Sequence, residues 1–220
     1  MKNNFAVIFD MDGVIVDSNP SHKIALVQFA KKYGFELSDQ ELREKVYGRT
    51  NKEWITNLFG KLPPEKLNEY VEEKECLYRE IYGAKIKPVK GLISFLEKLE
   101  EGNIQKAIAT SAPPSNVVFT LDNLRIKHFF KVIFDDTRIK NSKPHPEIYQ
   151  KTCLALGKSP ADCVVFEDSI SGITAASSAG CKVVGITTTH SRYELQDCDL
   201  IIDNFDSLTP ESLSNFIFQK

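Results

Sequence analysis

Phe5-Ala6-Val7-Ile8-Phe9-Asp10-Met11-Asp12-Gly13 is an apolar run that stops on two aspartates. Five consecutive hydrophobic residues with no polar alternation describe a strand buried on both faces, as in a parallel sheet. Largely apolar runs closed by polar or turn residues recur at 106–109, 131–134, 163–166, 182–186 and 199–202. Helical patterns fill the intervals at 92–99, 116–124, 146–156 and 170–179. Strand alternating with helix predicts an α/β fold: a Rossmann-like, doubly wound parallel sheet.

One interval breaks the alternation. From about 19 to 87 there is no strand run, but helix starts are marked by Asn19-Pro20 and by the capping boxes Ser38-x-x-Glu41 and Thr50-x-x-Glu53. Pro63-Pro64 then opens a charged helical stretch with one apolar stripe: Leu67, Tyr70, Val71, Leu77, Tyr78 and Ile81. A chain of 220 residues is awkward for one or two average domains. An all-helical insertion resolves this: a core of 1–16 and 88–220 carrying a helical cap of 17–87.

The 28 basic and 30 acidic residues leave a net charge of −2, which disfavours nucleic acid and polybasic membrane contacts. No apolar run approaches the roughly 18 residues of a membrane span, and the run at 5–9 is too short for a signal-peptide core. The five cysteines at 76, 153, 163, 181 and 198 form no C-x-x-C pair. They are expected to be buried, reduced thiols of a cytoplasmic protein.

In an open parallel sheet, ligands bind beyond the carboxyl ends of the strands. The residues there are Asp10 and Asp12, Thr110 and Ser111, and Glu167 and Asp168, with Lys143 in a Lys-Pro-x-Pro loop between the third and fourth strands. Asp10 and Asp12 point the same way if the chain stays extended, and carboxylates that close repel unless a cation or proton separates them. With a second acid pair at another strand end and only oxygen donors, the set suits Mg²⁺. Hydroxyls near a helix N-terminus suit a phosphate, and Lys143 suits its counter-charge.

Four motifs in order, 9–18, Ala109-Thr110-Ser111-Ala112, Lys143-Pro144-His145-Pro146-Glu147 and Glu167-Asp168-Ser169-x-x-Gly172, resemble those of the haloacid dehalogenase superfamily. The similarity is to the branch containing β-phosphoglucomutase and small sugar-phosphate phosphatases. It implies a Mg²⁺-dependent phosphatase of a small phosphorylated metabolite, and the chain is expected to be a monomer. Asp10 would be the nucleophile and Asp12 the acid and base. The Asp10 carboxylate, the Asp12 carbonyl and Asp168 would hold the metal, with Glu167 beside it. Thr110, Ser111, the Ala112 N–H and Lys143 would bind phosphoryl oxygens. For substrate the resemblance points to His22, Arg49, Asn51, Lys52 and Lys74 in the cap and Asn116 on the rim. Lys74 lies on the apolar stripe, so it either extends outward to water or faces a polar cleft. Asn51 stands where the mutase has an arginine, and Pro113-Pro114 where it has polar residues. A phosphohexomutase is the alternative, and a signalling receiver phosphorylated on Asp a remote one. The metal-binding acids argue against halide displacement at carbon.

Overall fold

The computed structural model describes residues 5–38, 40–42 and 50–218. These separate into two compact units, Met1–Asp17 with Ile86–Lys220, and Ser18–Lys85.

The first unit is built on six parallel strands: β1 (Ala6–Phe9), β2 (Gln105–Ala109), β3 (Val132–Phe134), β4 (Cys163–Glu167), β5 (Lys182–Ile186) and β6 (Leu200–Ile202). Their order across the sheet is β3-β2-β1-β4-β5-β6. The winding reverses between β1 and β4, which makes the carboxyl ends of those two strands the switch point where such sheets bind ligands. Phe9 is level with both Ile108 and Phe166. The Asp10 N–H extends that ladder to the Phe166 carbonyl at 3.0 Å.

Each inner strand is buried on both faces, which explains the unbroken apolar runs. Alternation sends Ala6, Ile8, Cys163 and Val165 to one face, against Ile148, Tyr149 and Cys153 of α5 (Glu147–Ala155) and Ile173, Ala175, Ala176 and Ala179 of α6 (Ile170–Ala179). The same alternation points Glu167 at that helical layer. Phe9 and Phe166 turn to the opposite face and stack at 5.2 Å within a ring cluster containing Phe95, Phe130 and Phe205. Phe95 is on α4 (Leu92–Glu101). The unit also contains the helix Pro114–Leu124 and α7 (Pro210–Phe218). The last was not expected from the pattern; its start is marked by reciprocal Thr209 and Ser212 bonds of 3.0 and 3.1 Å.

The second unit is helical in its described parts: α1 (Asn19–Lys32), α2 (Asn51–Phe59) and α3 (Pro64–Gly83), with further helix at 40–42. Both expected capping boxes form, at Ser38 with Glu41 and at Thr50 with Glu53. Leu26, Phe29, Leu42, Trp54, Ile55 and Tyr70 make its core. Burying side chains of this size stabilises by roughly 1.5–3 kcal/mol each. The expectation of buried cysteines fails at Cys76, which is exposed on α3, and Cys198 is half-buried. The charged, solvated face of that helix extends to position 76.

Candidate active site

Three carboxylates meet at the switch point. Asp10, Glu167 and Asp168 each offer an oxygen within 4.8 Å of the others, and all three residues are buried. The Asp12 carboxylate is not part of this cluster. Because strand β4 turns Glu167 towards the α5–α6 layer, its neighbour Asp168 faces the other way, towards the loop after β1.

Lys143 lies between two of these acids. Its Nζ donates to Asp10 Oδ1 and to Glu167 Oε1, both at 2.6 Å, and to the Ala109 carbonyl at 3.3 Å. Burial lowers the lysine's proton affinity, but the two carboxylates outweigh this and hold the ammonium more firmly than usual. Burial also opposes ionisation of Glu167, yet Lys143 and the donors around it bring its pKa below the ordinary value. These two groups form an ion pair. Asp10 behaves oppositely: burial, then Glu167 and Asp168, push it well above the usual carboxylate range despite Lys143. Burial, and then Glu167, raise Asp168 to about 7, against the pull of Thr189 and Lys143. One ammonium thus serves three buried acids, and an added divalent cation would offset the remaining charge. With donors that are all oxygen, the residues fit Mg²⁺.

Glu167 is held on both oxygens. Oε1 accepts from Lys143 and from the Tyr149 hydroxyl, each at 2.6 Å. Oε2 accepts from Asp168 N–H, Ser169 N–H and Ser169 Oγ at 3.1, 3.2 and 3.0 Å. Ser169 is also the N-cap of α6, accepting from Gly172 N–H at 3.1 Å. Asp168 is fixed from another side, by the Thr189 hydroxyl on its Oδ2. Thr188 donates to the Gly13 carbonyl at 2.5 Å. Two glycines give the carboxylates room: a Cβ on Gly13 would overlap Asp168, and one on Gly172 would overlap Glu167. Gly13 also has φ +80°, a conformation that favours glycine.

Of the residues expected to bind phosphate, Ser111 is exposed and Thr110 is buried. The Ala112 N–H donates to Thr110 Oγ1 at 3.1 Å, so here it serves the loop itself. Asn116 is buried in the first turn of the helix Pro114–Leu124.

The expected cap residues form a second cluster within their own unit. Lys74 neither extends outward nor stands alone: it is 4% exposed, 2.8 Å from Glu75 Oε1 and 3.0 Å from His22 Nδ1. His22 stacks on Tyr78 with ring centres 3.6 Å apart. Asn51 donates to Glu75 Oε1 at 2.6 Å and accepts from Trp54 Nε1 at 3.0 Å. Lys52 is exposed, and Arg49 lies outside the described residues.

Sequence reasoning missed Tyr149, Glu75 and the threonines after β5. The threonines had a signal, since they follow the fifth strand as the other polar groups follow theirs. Tyr149 had none, because beside Ile148 and Cys153 it reads as a core aromatic.

Together these features define an α/β protein with a buried cluster of three acids and a lysine at its switch point. The sequence profile described as "Haloacid dehalogenase-like hydrolase" matches residues 7–186, and the chain belongs to that family. The chain is similar to the "Phosphorylated carbohydrates phosphatase" of Thermotoga maritima, 33% identical over 80% of this chain and 81% of the relative. It is 30% identical to the "Beta-phosphoglucomutase" of Bacillus subtilis over 94% of this chain and 93% of the relative. Among solved structures, a family IA, variant 3 hydrolase from Entamoeba histolytica superposes with a TM-score of 0.89. The two chains are 36% identical, with 97% of this chain and 99% of the other covered. Among the described residues, no helix is long and apolar enough to cross a membrane.

Proposed function

We propose that this chain is a Mg²⁺-dependent phosphatase of a small phosphorylated metabolite, a sugar phosphate first among them, working through an aspartyl-phosphate on Asp10. The observation that carries the proposal is the buried Lys143 ammonium placed 2.6 Å from both Asp10 and Glu167. Phosphoryl transfer is mostly positioning and charge stabilisation, and this arrangement offers both.

An Asp10 carboxylate oxygen attacks phosphorus and the ester oxygen leaves, taking a proton from Asp12. A water then attacks the aspartyl-phosphate and gives its proton to Asp12, which releases inorganic phosphate and restores Asp10. Asp10 must be ionised to attack, and Lys143 favours that form against its burial. Ser111 and Lys143 bind the phosphoryl oxygens. The Asp10 carboxylate, the Asp12 carbonyl and Asp168 would hold Mg²⁺, with Glu167 beside them. The ion would supply charge neutralisation for the phosphoryl oxygens. His22, Asn51 and Lys74, with Arg49, Lys52 and Asn116, are the proposed substrate-selecting set.

The similarity to a β-phosphoglucomutase supports a second reading, in which the phosphoryl group returns to sugar. Against it, Asn51 supplies a neutral amide already engaged by Glu75 and Trp54, where a bisphosphate sugar calls for a cation. Glucose 1-phosphate with a trace of its bisphosphate separates the two: isomerised ester means mutase, free phosphate means phosphatase. The broader test is phosphate release from a panel of phosphoesters with Asp10→Asn as blank. Release well above that blank is expected, and none on any ester overturns the proposal.

A further inference from the structure

We propose that Tyr149 is a positioning residue for the reaction: its hydroxyl fixes Glu167, and Glu167 fixes the Lys143 ammonium. This rests on the phosphatase reading above and adds to it a residue that touches neither substrate nor metal.

The geometry is specific. Tyr149 lies on α5, fully buried, and donates to Glu167 Oε1 at 2.6 Å. The same oxygen accepts from Lys143 at 2.6 Å. The Tyr149 ring also lies beneath that ammonium, with Nζ 5.1 Å from its centre. Tyr149 therefore constrains Lys143 in two ways, through a shared carboxylate oxygen and through the ring face.

The need for such a constraint follows from the side chains. Lysine has a four-carbon stem and no preferred fork geometry, so its position is set by its acceptors. Here those are the Asp10 and Glu167 carboxylates and, more distantly, the Ala109 carbonyl. If Glu167 Oε1 swings away, the ammonium loses one of its two charged anchors and shifts towards Asp10, the nucleophile, and away from the phosphoryl group. Three donors at 168–169 hold Oε2, whereas Oε1 is held by Lys143 and the Tyr149 hydroxyl. The Tyr149 hydroxyl thus fixes Oε1 independently of the ammonium that Oε1 in turn positions. The hydroxyl is the donor in this bond, because a carboxylate oxygen accepts.

Tyr149→Phe removes the hydroxyl and keeps the ring, so the core retains its packing. Loss of one hydrogen bond to a charged group should lower kcat about 10-fold, with KM within twofold of wild type. The effect should depend on Lys143: in a Lys143→Ala background, adding Tyr149→Phe should change kcat less than twofold. A merely structural role would lower the urea midpoint and leave kcat per folded enzyme unchanged, or give equal losses with and without Lys143. Either result overturns the inference while the phosphatase reading stands. A wild type inactive on every ester overturns both.

Discussion

Gly172→Ala offers a severe test, because local propensity and the structure predict opposite signs. Gly172 is in the first turn of α6, and in a helix alanine is favoured over glycine by about 1 kcal/mol. The structure says otherwise. A Cβ at this position would lie under 3.0 Å from Oε1, Cδ and Oε2 of Glu167. Glu167 is fully buried and held by five donors, so it is not a side chain that can step aside. To restore ordinary contact it must retreat by more than about 1 Å, which breaks the bonds to Lys143 and Tyr149. Disrupting a buried ion pair costs about 3–5 kcal/mol, so the net destabilisation after the propensity gain is about 2–4 kcal/mol. Urea unfolding measures it, with Ser177→Ala on the exposed side of the same helix as the control, expected within about 0.5 kcal/mol of wild type. With Lys143 displaced, kcat should fall about 10²-fold. A Gly172→Ala protein as stable as wild type and within threefold of its kcat would refute the packing of Glu167 on that glycine.

Lys143→Ala should lower kcat about 10²–10³-fold, as for the loss of one pre-organised donor, and a variant within threefold of wild type would remove Lys143 from the chemistry. The proposed Mg²⁺ site needs Asp10 and Asp168 ionised, and burial raises both, Asp168 from 3.8 to about 7. Calorimetric Mg²⁺ affinity should therefore fall by at least about tenfold per unit as pH drops below that value. Thr189→Val, which removes a donor to the Asp168 carboxylate, should shift this limb to higher pH; affinity flat from pH 5 to 8 would contradict the argument. Glu147 is held at about 2 by Lys151 and by the N–H groups of Lys140 and Asn141. Its native pKa is depressed, so its contribution is complete above about 4.5 and lost as pH falls towards 2. Plots of urea midpoint against pH should differ over that window between wild type and Glu147→Gln. Lys74→Met should destabilise by about 3–5 kcal/mol because it removes the buried ammonium 2.8 Å from buried Glu75, and adding Glu75→Gln should recover much of this; equal losses would show that the pair is not coupled.

The sheet was legible because its strands are buried on both faces: a run such as 5–9 or 163–166 has no other comfortable place in a soluble α/β fold. Asp10, Glu167 and Asp168 were legible for a related reason, since polar residues that end apolar runs fall on one edge; Lys143 ends no run and stood out by its Lys-Pro-x-Pro loop. What the pattern did not carry was how each hydroxyl is used. Thr110 and Ser111 look equivalent in sequence, yet one is buried and serves the Ala112 N–H while the other is exposed. Lys74 looked like a lone cation on an apolar stripe because Glu75 is its neighbour in sequence, and adjacent helical residues do not normally face each other. In the fold, Lys74 and Glu75 both become buried, and their side-chain ends meet. Tyr149 was invisible because a tyrosine's ring satisfies the hydrophobic pattern while its hydroxyl does something else.

The chain leaves the core after Asp17 and returns at Ile86, yet the flanking segments are already joined. Val16 bridges Pro88 in antiparallel fashion, and Val89 N–H donates to the Ile15 carbonyl at 2.9 Å. Topologically, residues 18–85 are a closed loop on a clasp of two strand-like segments. Loop entropy rises only with the logarithm of length, so closing this one instead of a four-residue turn costs about 2–3 kcal/mol. A burden that small, localised at one clasp, makes the clasp a natural graft point. Helical inserts of different length and sequence can occupy it without disturbing the register of the sheet, so residues 18–85, which carry most of the proposed substrate-selecting set, are free to change while the acids and Lys143 at the strand ends stay in place.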